Sequence, residues 1–526
     1  MRSAFRVPGS EFQVQTRRRD RNAERATRNA ERRLLGNPAT RPGITGVAYD
    51  TAWLAGLPAE PDRRTGRFPT TLRWLADNQL ADGSWGSAVR YEHDRILCTL
   101  AAVAPLAEFG RRAEDHRAVD AGTRYLWQHG HLLDREPVEL VGFELLLPAL
   151  VQRAREAGVA VPPHLDIYRA QRARKLDLIP ASALYSPRAT VVHSLEFLGE
   201  RADPARLAAA QGDNGAIGNS PAATAFFLTQ TEHGNHRALS YLQSTLDHSG
   251  GATAPVLHPC ETFELLWAAY HLFLGGASSQ RLLRPAERRQ LARDLTQAGV
   301  SLSPTFPIPD ADDTAVALLL LHDMGERVDP TVLKAFEAPD GSFVSFPYER
   351  HSSVGVNLHV LHALARVPGY PNAEAAIERI LSYLADQHNG LYWLDKWHIS
   401  PLYATSHAVC VLEDLAPAQR WRVTHLVNRS REWLRQSQND DGSWGFYGLP
   451  TAEETAYGLL ALVGSLEEAD RVRCQLAANY LAAARSKNVS HPPLWIDKCL
   501  YIPPLVVHAA IEAALAAWNL ATEKRS

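Results

Sequence analysis

The chain lacks a cysteine pattern: Cys98, Cys260, Cys410, Cys474 and Cys499 form no CxxC pair and share no regular spacing. They read as reduced, mostly buried thiols of a cytoplasmic protein. It lacks charge of one sign, with a formal net charge of -3, so nothing calls for nucleic acid as a partner. It also lacks an uninterrupted apolar run of the roughly 18 residues that would suggest an integral membrane span. The arginine-rich start, MRSAFRVPGSEFQVQTRRRDRNAERATRNAERR, has no apolar h-region of a signal peptide. Residues 1–40 are expected to be a disordered basic leader and are set aside from the fold. Finally, alternating five-residue strands with hairpin turns are hard to find.

What remains is helical. Hydrophobic content of 45% and charged content of 21% over 526 residues fit a globular protein large enough for two domains. DRILCTLAAVAPLAEFG (94–110), EETAYGLLALVGSLEE (453–468) and PLVVHAAIEAALAAWNL (504–520) carry apolar residues at helical spacing. An internal repeat runs through them. QLADGSWG (79–86) and QNDDGSWG (438–445) match at Gln and at Asp-Gly-Ser-Trp-Gly. Degraded copies are QGDNGAIG (211–218), EAPDGSFV (337–344) and DQHNGLYW (386–393), with Ile, Phe and Tyr at the Trp position. Asp-Gly or Asn-Gly gives a tight turn. The ring is expected to pack on helix ends while the Gln amide ties down free backbone groups, as suits a series of helix pairs sharing one type of outer loop.

One stretch stands out electrostatically. In FPIPDADDTAVALLLLHDMG (306–325), Asp310, Asp312 and Asp313 crowd together and run into an apolar helix. A calcium loop of the EF-hand type needs Gly at position six and a carboxylate at twelve; Ala315 and Leu321 stand there. The DxDxT nucleophile of haloacid-dehalogenase-type phosphatases follows a buried strand, whereas SPTFPIP carries three prolines. An N-cap explains one aspartate but not three. A general acid kept protonated by neighbouring carboxylates and burial is the remaining reading, and on the residues alone cap and catalysis stand level.

The repeated loops resemble the QW motifs of the squalene–hopene cyclase and type II terpene cyclase superfamily. Further similar stretches are AYDTAW (48–53), DRILCTLAAV (94–103), VGFELLLPAL (141–150), KLDLIP (175–180), VVHSLEFL (191–198), SPAATAF (220–226), DADDTA (310–315), KWHISPLYATSH (396–407) and EETAYGLLAL (453–462). Together they resemble a bacterial type II diterpene cyclase of the copalyl diphosphate synthase type. The resemblance implies an all-α protein of two α/α-barrel domains, β and γ, with no type I α domain. It places the first part of β at 41–60, an inserted γ at 61–275 and the rest of β at 276–526. DADD matches DxDD, which makes Asp312 the general acid with Asp310 and Asp313 polarising it as one coupled titration.

The same resemblance makes Asp134 and Glu139, in DREPVELVGFE, the acidic segment holding Mg²⁺ against a substrate diphosphate; without it the segment reads as a solvated loop. Lys175 aligns with a diphosphate-binding lysine, although a solvated helix face is its default reading. His193 matches a histidine on the base side of plant enzymes, where an asparagine partners it. Val256 stands near that asparagine's place here, so the dyad is incomplete and a buried structural histidine fits equally well. Trp267, Tyr348, Trp393, Trp397 and Tyr457 are candidates for steering a cation, most of them also plain core. Lys396 and Lys498 lie in family-like stretches without a role. No DDxxD or NSE-type motif of the type I synthases is found. The implied activity is protonation-initiated cyclisation of geranylgeranyl diphosphate to a copalyl-type diphosphate, ent-copalyl by choice, handed to a separate type I synthase. Alternatives are a drimenyl-type cyclase on farnesyl diphosphate, a squalene–hopene-type cyclase, and a non-catalytic helical scaffold.

Overall fold

A computed structural model describes residues 34–35, 41–60, 64–231, 234–464, 468–487 and 489–523. The basic leader expected at 1–40 lies almost wholly outside these residues. The described chain is helical, as its periodicity predicts, with a two-residue hairpin, Trp495–Ile496 against Leu500–Tyr501, pairing Trp495 with Tyr501.

Two closed rings of helices form the architecture. Glu261–Leu274, Ala311–Asp323, Val354–Arg366, Pro401–Asp414, Ala452–Val463 and Pro504–Glu523 each pack on the next, and the last packs on the first. Ala373–Gln387, Pro417–Ser437 and Glu468–Lys487 lie outside that ring. Burial follows position. Inner helices are apolar nearly all round, and Ala311–Asp323 buries every residue from Asp313 to Leu321, whereas Ala373–Gln387 buries only one stripe. A second ring joins Ala48–Ala55, Glu92–Phe109, Phe143–Glu156, the turn-rich segment Thr190–Arg201 and Pro221–Gln230.

These rings correct the expected domain limits. Ala48–Ala55 closes the second ring, so it belongs with the γ portion rather than with β. Glu261–Leu274 closes the first ring and packs on Pro504–Glu523, so β resumes before 261 rather than at 276. The reason is geometric: a ring missing one member would leave the apolar flanks of its neighbours in water. Pro504–Glu523 also modifies the reading of apolar runs, since it is long and apolar enough by composition to cross a membrane. More than half of its apolar window is buried inside the protein.

The repeated loops work as helix terminators. Trp85 Nε1 donates to the Leu75 carbonyl at 2.7 Å and Trp444 Nε1 to that of Leu434 at 3.0 Å. Each supplies a short bond to a last-turn carbonyl whose other contact is longer, 3.4 Å from Asn78 N to Leu75 O and 3.3 Å from Ser437 Oγ to Leu434 O. Gln79 Nε2 donates to Gly83 O and Ala118 O, and Gln438 Nε2 to Gly442 O and Arg473 O, tying the loop to the following outer helix. Gly83 and Gly442 sit at φ +90° and +87° with backbone of the neighbouring helix against the place of a Cβ, which only glycine tolerates. In DQHNGLYW the indole role falls to Trp393, not Tyr392. Trp393 Nε1 donates to Leu384 O and its backbone N–H to Thr405 Oγ1, as that of Trp85 does to Thr99. This loop brings its indole to the same place 9 residues after the acceptor carbonyl, against 10 for Trp85 and Trp444.

Candidate active site

Where the rings meet lies a cavity of about 970 Å³, open mouth included. Its walls come from both: Val141, Thr190, His193 and Leu257 on one side, and Phe263, Trp267, Phe306, Phe346, Trp397, Tyr403 and the hairpin residues Trp495, Ile496 and Tyr501 on the other. Among these apolar walls stand four carboxyls, Asp310, Asp312, Asp313 and Asp497.

The three clustered aspartates divide their tasks. Asp310 is the N-cap of Ala311–Asp323, its Oδ1 accepting from Asp313 N at 2.7 Å. Burial, reinforced by the charge of Asp312, pushes it up to about 8. Asp313 is buried, and its carboxyl oxygens lack a hydrogen-bond partner of good geometry. Burial and the two neighbouring carboxyls hold it well above the usual range, because an unpartnered anion there is far less favourable than the acid. Asp312 points the other way. Its Oδ1 lies 2.7 Å from Nδ1 of His359, and its side chain keeps 14% exposure toward the cavity. Burial raises Asp312, while the His359 contact opposes that rise. The cap and the acid readings therefore both hold, on different residues.

Behind Asp312 the contacts continue inward. His359 Nε2 lies 3.0 Å from His407 Nδ1, His407 Nε2 lies 3.2 Å from His271 Nε2, and His271 Nδ1 lies 2.9 Å from the Trp267 carbonyl. None of these histidines was singled out from sequence. Their signal was a histidine inside a largely apolar stretch of each of three inner helices, including the histidine that ends KWHISPLYATSH.

Opposite, His193 does have a partner, although not from the segment around Val256. Its Nε2 lies 3.1 Å from Asp497 Oδ1 and its Nδ1 donates to Gly218 O at 2.8 Å. Burial lowers His193, but the Asp497 carboxylate outweighs it and the net direction is upward; Asp497 shifts down for the same reason despite its burial. Asp497 comes from the hairpin loop, which also carries Lys498. That ammonium is fully buried, 3.1 Å from Glu196, 3.6 Å from Asp50 and 2.5 Å from Ser220 Oγ. Four family-like stretches, AYDTAW, VVHSLEFL, SPAATAF and WIDKCLY, thus converge on one buried ionic cluster. It fixes the loop that presents Asp497.

Of the expected diphosphate and metal residues, Glu139 and Lys175 lie outside the cavity lining. Glu139 is exposed and accepts from Tyr168 Oη at 3.1 Å. Lys175 is 54% exposed and pairs with Glu144 rather than with Glu139 or the cavity. Asp134 sits in the turn Gly130–Arg135, and its side chain is outside the described residues. The acidic segment nevertheless leads to the rim, since Val141 lines the cavity and its N–H donates to Asp497 O. The close three-ligand group among the described residues, Asp94, Cys98 and Cys499, is elsewhere and fully buried. Its Asp94 oxygens are occupied by the N–H groups of Ser87 and Leu500.

Of the five aromatic candidates, Trp267 and Trp397 line the cavity. Three are corrected. Tyr348 is fully exposed, at a positive φ of 71°. Trp393 is the loop-capping core residue described above. Tyr457 is fully buried and donates to Glu453 at 3.0 Å. Phe263, Phe306, Phe346, Tyr403, Trp495 and Tyr501 were missed, because helical periodicity marks a buried face but not which buried faces surround a hollow.

Known proteins are similar to this chain in sequence and fold. Residues 350–495 match the squalene-hopene cyclase C-terminal domain. The type B diterpene cyclase of Mycobacterium tuberculosis is 31% identical over 510 residues, covering 92% of this chain and 98% of that protein. Labda-7,13-dienyl diphosphate synthase of Streptomyces clavuligerus is 32% identical, over 90% of this chain and 89% of its own length. The solved ent-copalyl diphosphate synthase from Streptomyces platensis superposes with a TM-score of 0.76 at 27% identity, over 94% of this chain and 99% of that one. With a relative 31% identical along nearly its whole length, this chain belongs to the type II, or type B, diterpene cyclases.

Proposed function

We propose that the protein cyclises geranylgeranyl diphosphate by protonating its terminal alkene, keeps the diphosphate and releases a copalyl-type bicyclic diphosphate. The observation that carries this reading is Asp312: a carboxyl raised by burial, opening into an aromatic cavity and backed by a histidine. Protonating an unactivated alkene needs an acid in a dry pocket, because water would quench the cation. The O–H bond of Asp312 breaks, the alkene π pair forms the new C–H bond, and ring closures carry the charge inward. Trp267, Trp397, Tyr403 and Trp495 present ring faces or edges along that path. The final C–H proton leaves toward the Asp497–His193 pair, the acceptor in this reading.

Names of two relatives, ent-copalyl diphosphate synthase and labda-7,13-dienyl diphosphate synthase, both end in a retained diphosphate. They differ in the double bond left behind, so ent-copalyl diphosphate is proposed here as one product of several that this cavity chemistry allows. Hard carboxylate oxygens near the rim fit Mg²⁺. Glu139 and Asp134 would hold it, and it would supply positive charge to the diphosphate. Lys175 would add a second positive charge once drawn from Glu144. A retained diphosphate makes the product a substrate for an ionising type I synthase.

The test is incubation of the full chain with geranylgeranyl diphosphate and Mg²⁺ in D₂O, followed by dephosphorylation and mass spectrometry. A bicyclic alcohol carrying one deuterium is expected, since Asp312 exchanges with solvent between turnovers. Turnover of squalene, exclusive use of farnesyl diphosphate, or unchanged activity of Asp312→Asn would each overturn the reading.

A further inference from the structure

The chain of contacts behind Asp312 has a direction. A carbonyl oxygen only accepts, so at the far end Nδ1 of His271 must carry the hydrogen that meets Trp267 O. His271 and His407 are buried and neutral: burial pulls His271 down to about 4, and burial with the surrounding imidazoles holds His407 well below the ordinary histidine range. A neutral imidazole protonated at Nδ1 has a bare Nε2. His271 therefore accepts from His407 Nε2–H across 3.2 Å. His407, protonated at Nε2, has a bare Nδ1 and accepts from His359 Nε2–H across 3.0 Å. One carbonyl sets the polarity of every link.

We propose that His407 and His271 are positioning residues that act through His359 to place the proton at the Asp312 contact. With Nε2–H of His359 committed to His407, a hydrogen on His359 Nδ1 meets Asp312 Oδ1, and the hydrogen given to the alkene is a second one, carried on Oδ2 of Asp312. A proton on that Nδ1 leaves His359 with an acceptor on each side. It then donates to the carboxylate that remains when Asp312 protonates the alkene. The chain ends on a carbonyl with no route to solvent, so Asp312 recovers its proton from the cavity side after product leaves. This inference rests on Asp312 as the acid.

Two measurements on the full-length protein test it. In two-bond ¹H–¹⁵N spectra of ¹⁵N-histidine-labelled enzyme, with signals assigned through His271→Gln and His407→Gln, His271 should be the Nδ1–H tautomer and His407 the Nε2–H tautomer. The opposite tautomer at either site overturns the proposal. In kinetics with geranylgeranyl diphosphate and Mg²⁺, His407→Phe removes both links. It should lower kcat about 10- to 100-fold, part of what a general acid contributes, with KM within about twofold. His407→Gln keeps an acceptor and a donor and should recover most of that loss. Equal kcat in His407→Phe and wild type, or equal losses for Phe and Gln, would overturn it. If His407→Phe does not fold, the wild-type tautomers still decide. Turnover by Asp312→Asn with the expected tautomers would overturn the acid assignment, and the role given to the chain with it, while leaving the polarity in place.

Discussion

Lys498→Met should be among the most destabilising single changes in this protein, and the structure supplies the size. The ammonium stands 3.1 Å from Glu196 and 3.6 Å from Asp50, all three side chains with no solvent exposure. Attraction to each carboxylate is about 5 kcal/mol at an effective dielectric constant near 20, offset by the desolvation of three ions. Removing one partner of such a cluster destabilises by about 3–5 kcal/mol. A second route gives the same figure. A stranded carboxylate escapes its penalty by taking up a proton, which at pH 7 costs at most about 4 kcal/mol relative to an unfolded carboxyl. Burial already pushes Asp50 up to about 7 even beside Lys498. With an unfolding entropy near 2.1 cal/mol/K per residue and roughly 500 residues, about 4 kcal/mol lowers a single cooperative Tm by about 4 °C. Thermal unfolding followed by tryptophan fluorescence at pH 7 and pH 5 measures it. Protonation becomes cheaper by about 1.4 kcal/mol per pH unit, so the deficit should shrink to about 1–2 kcal/mol at pH 5. Adding Glu196→Gln should restore part of the stability. A Tm within 1 °C of wild type at pH 7, or a deficit that grows on acidification, would refute the reasoning.

Other outcomes follow from the same structure. Asp312→Asn should fold normally and lower kcat by about 10²- to 10⁴-fold, read by product formation. Asp310 binds its proton in the folded state up to about pH 8, whereas an ordinary aspartate releases it near 4. The folded state therefore holds more protons than the unfolded one between those values, and stability falls as pH rises through that window. Asp310→Asn removes this slope and should gain on wild type by up to about 1.4 kcal/mol per pH unit from pH 5 to 8; a loss that grows with pH would contradict the assignment. Trp85→Phe keeps the ring but leaves the Leu75 carbonyl with only the 3.4 Å contact from Asn78 N and should lower stability by about 1–2 kcal/mol in urea titrations. Tyr348→Ala, at a fully exposed site, should change stability by less than about 0.5 kcal/mol and leave kcat unchanged.

The sequence was legible wherever the information is local. The repeated loops announced both the helix-to-helix architecture and the hydrogen bonds that close it, since Gln79 and Trp85 meet groups 4 and 10 residues away and Gln79 and Gly83 also meet the outer helix Ala113–His129. DADD was legible for the same reason: Asp310 caps the helix that its own segment begins. The helices Glu92–Phe109, Ala452–Val463 and Pro504–Glu523 followed from periodicity. Domain limits did not, because a ring is closed by contacts between its first and last helices, hundreds of residues apart. Tyr348 and Trp397 look alike as aromatics in loops, yet one lies in open solvent and the other on the cavity wall.

By itself the sequence determined the fold class, the family and the acidic motif, all of which rest on spacing along the chain. The tertiary structure decided which aspartate faces the cavity, which histidines stand behind it, and that Asp497 partners His193. Those contacts join residues 47 to 304 positions apart. Only ring closure sets such distances, and a proton transfer depends on them to within a fraction of an ångström.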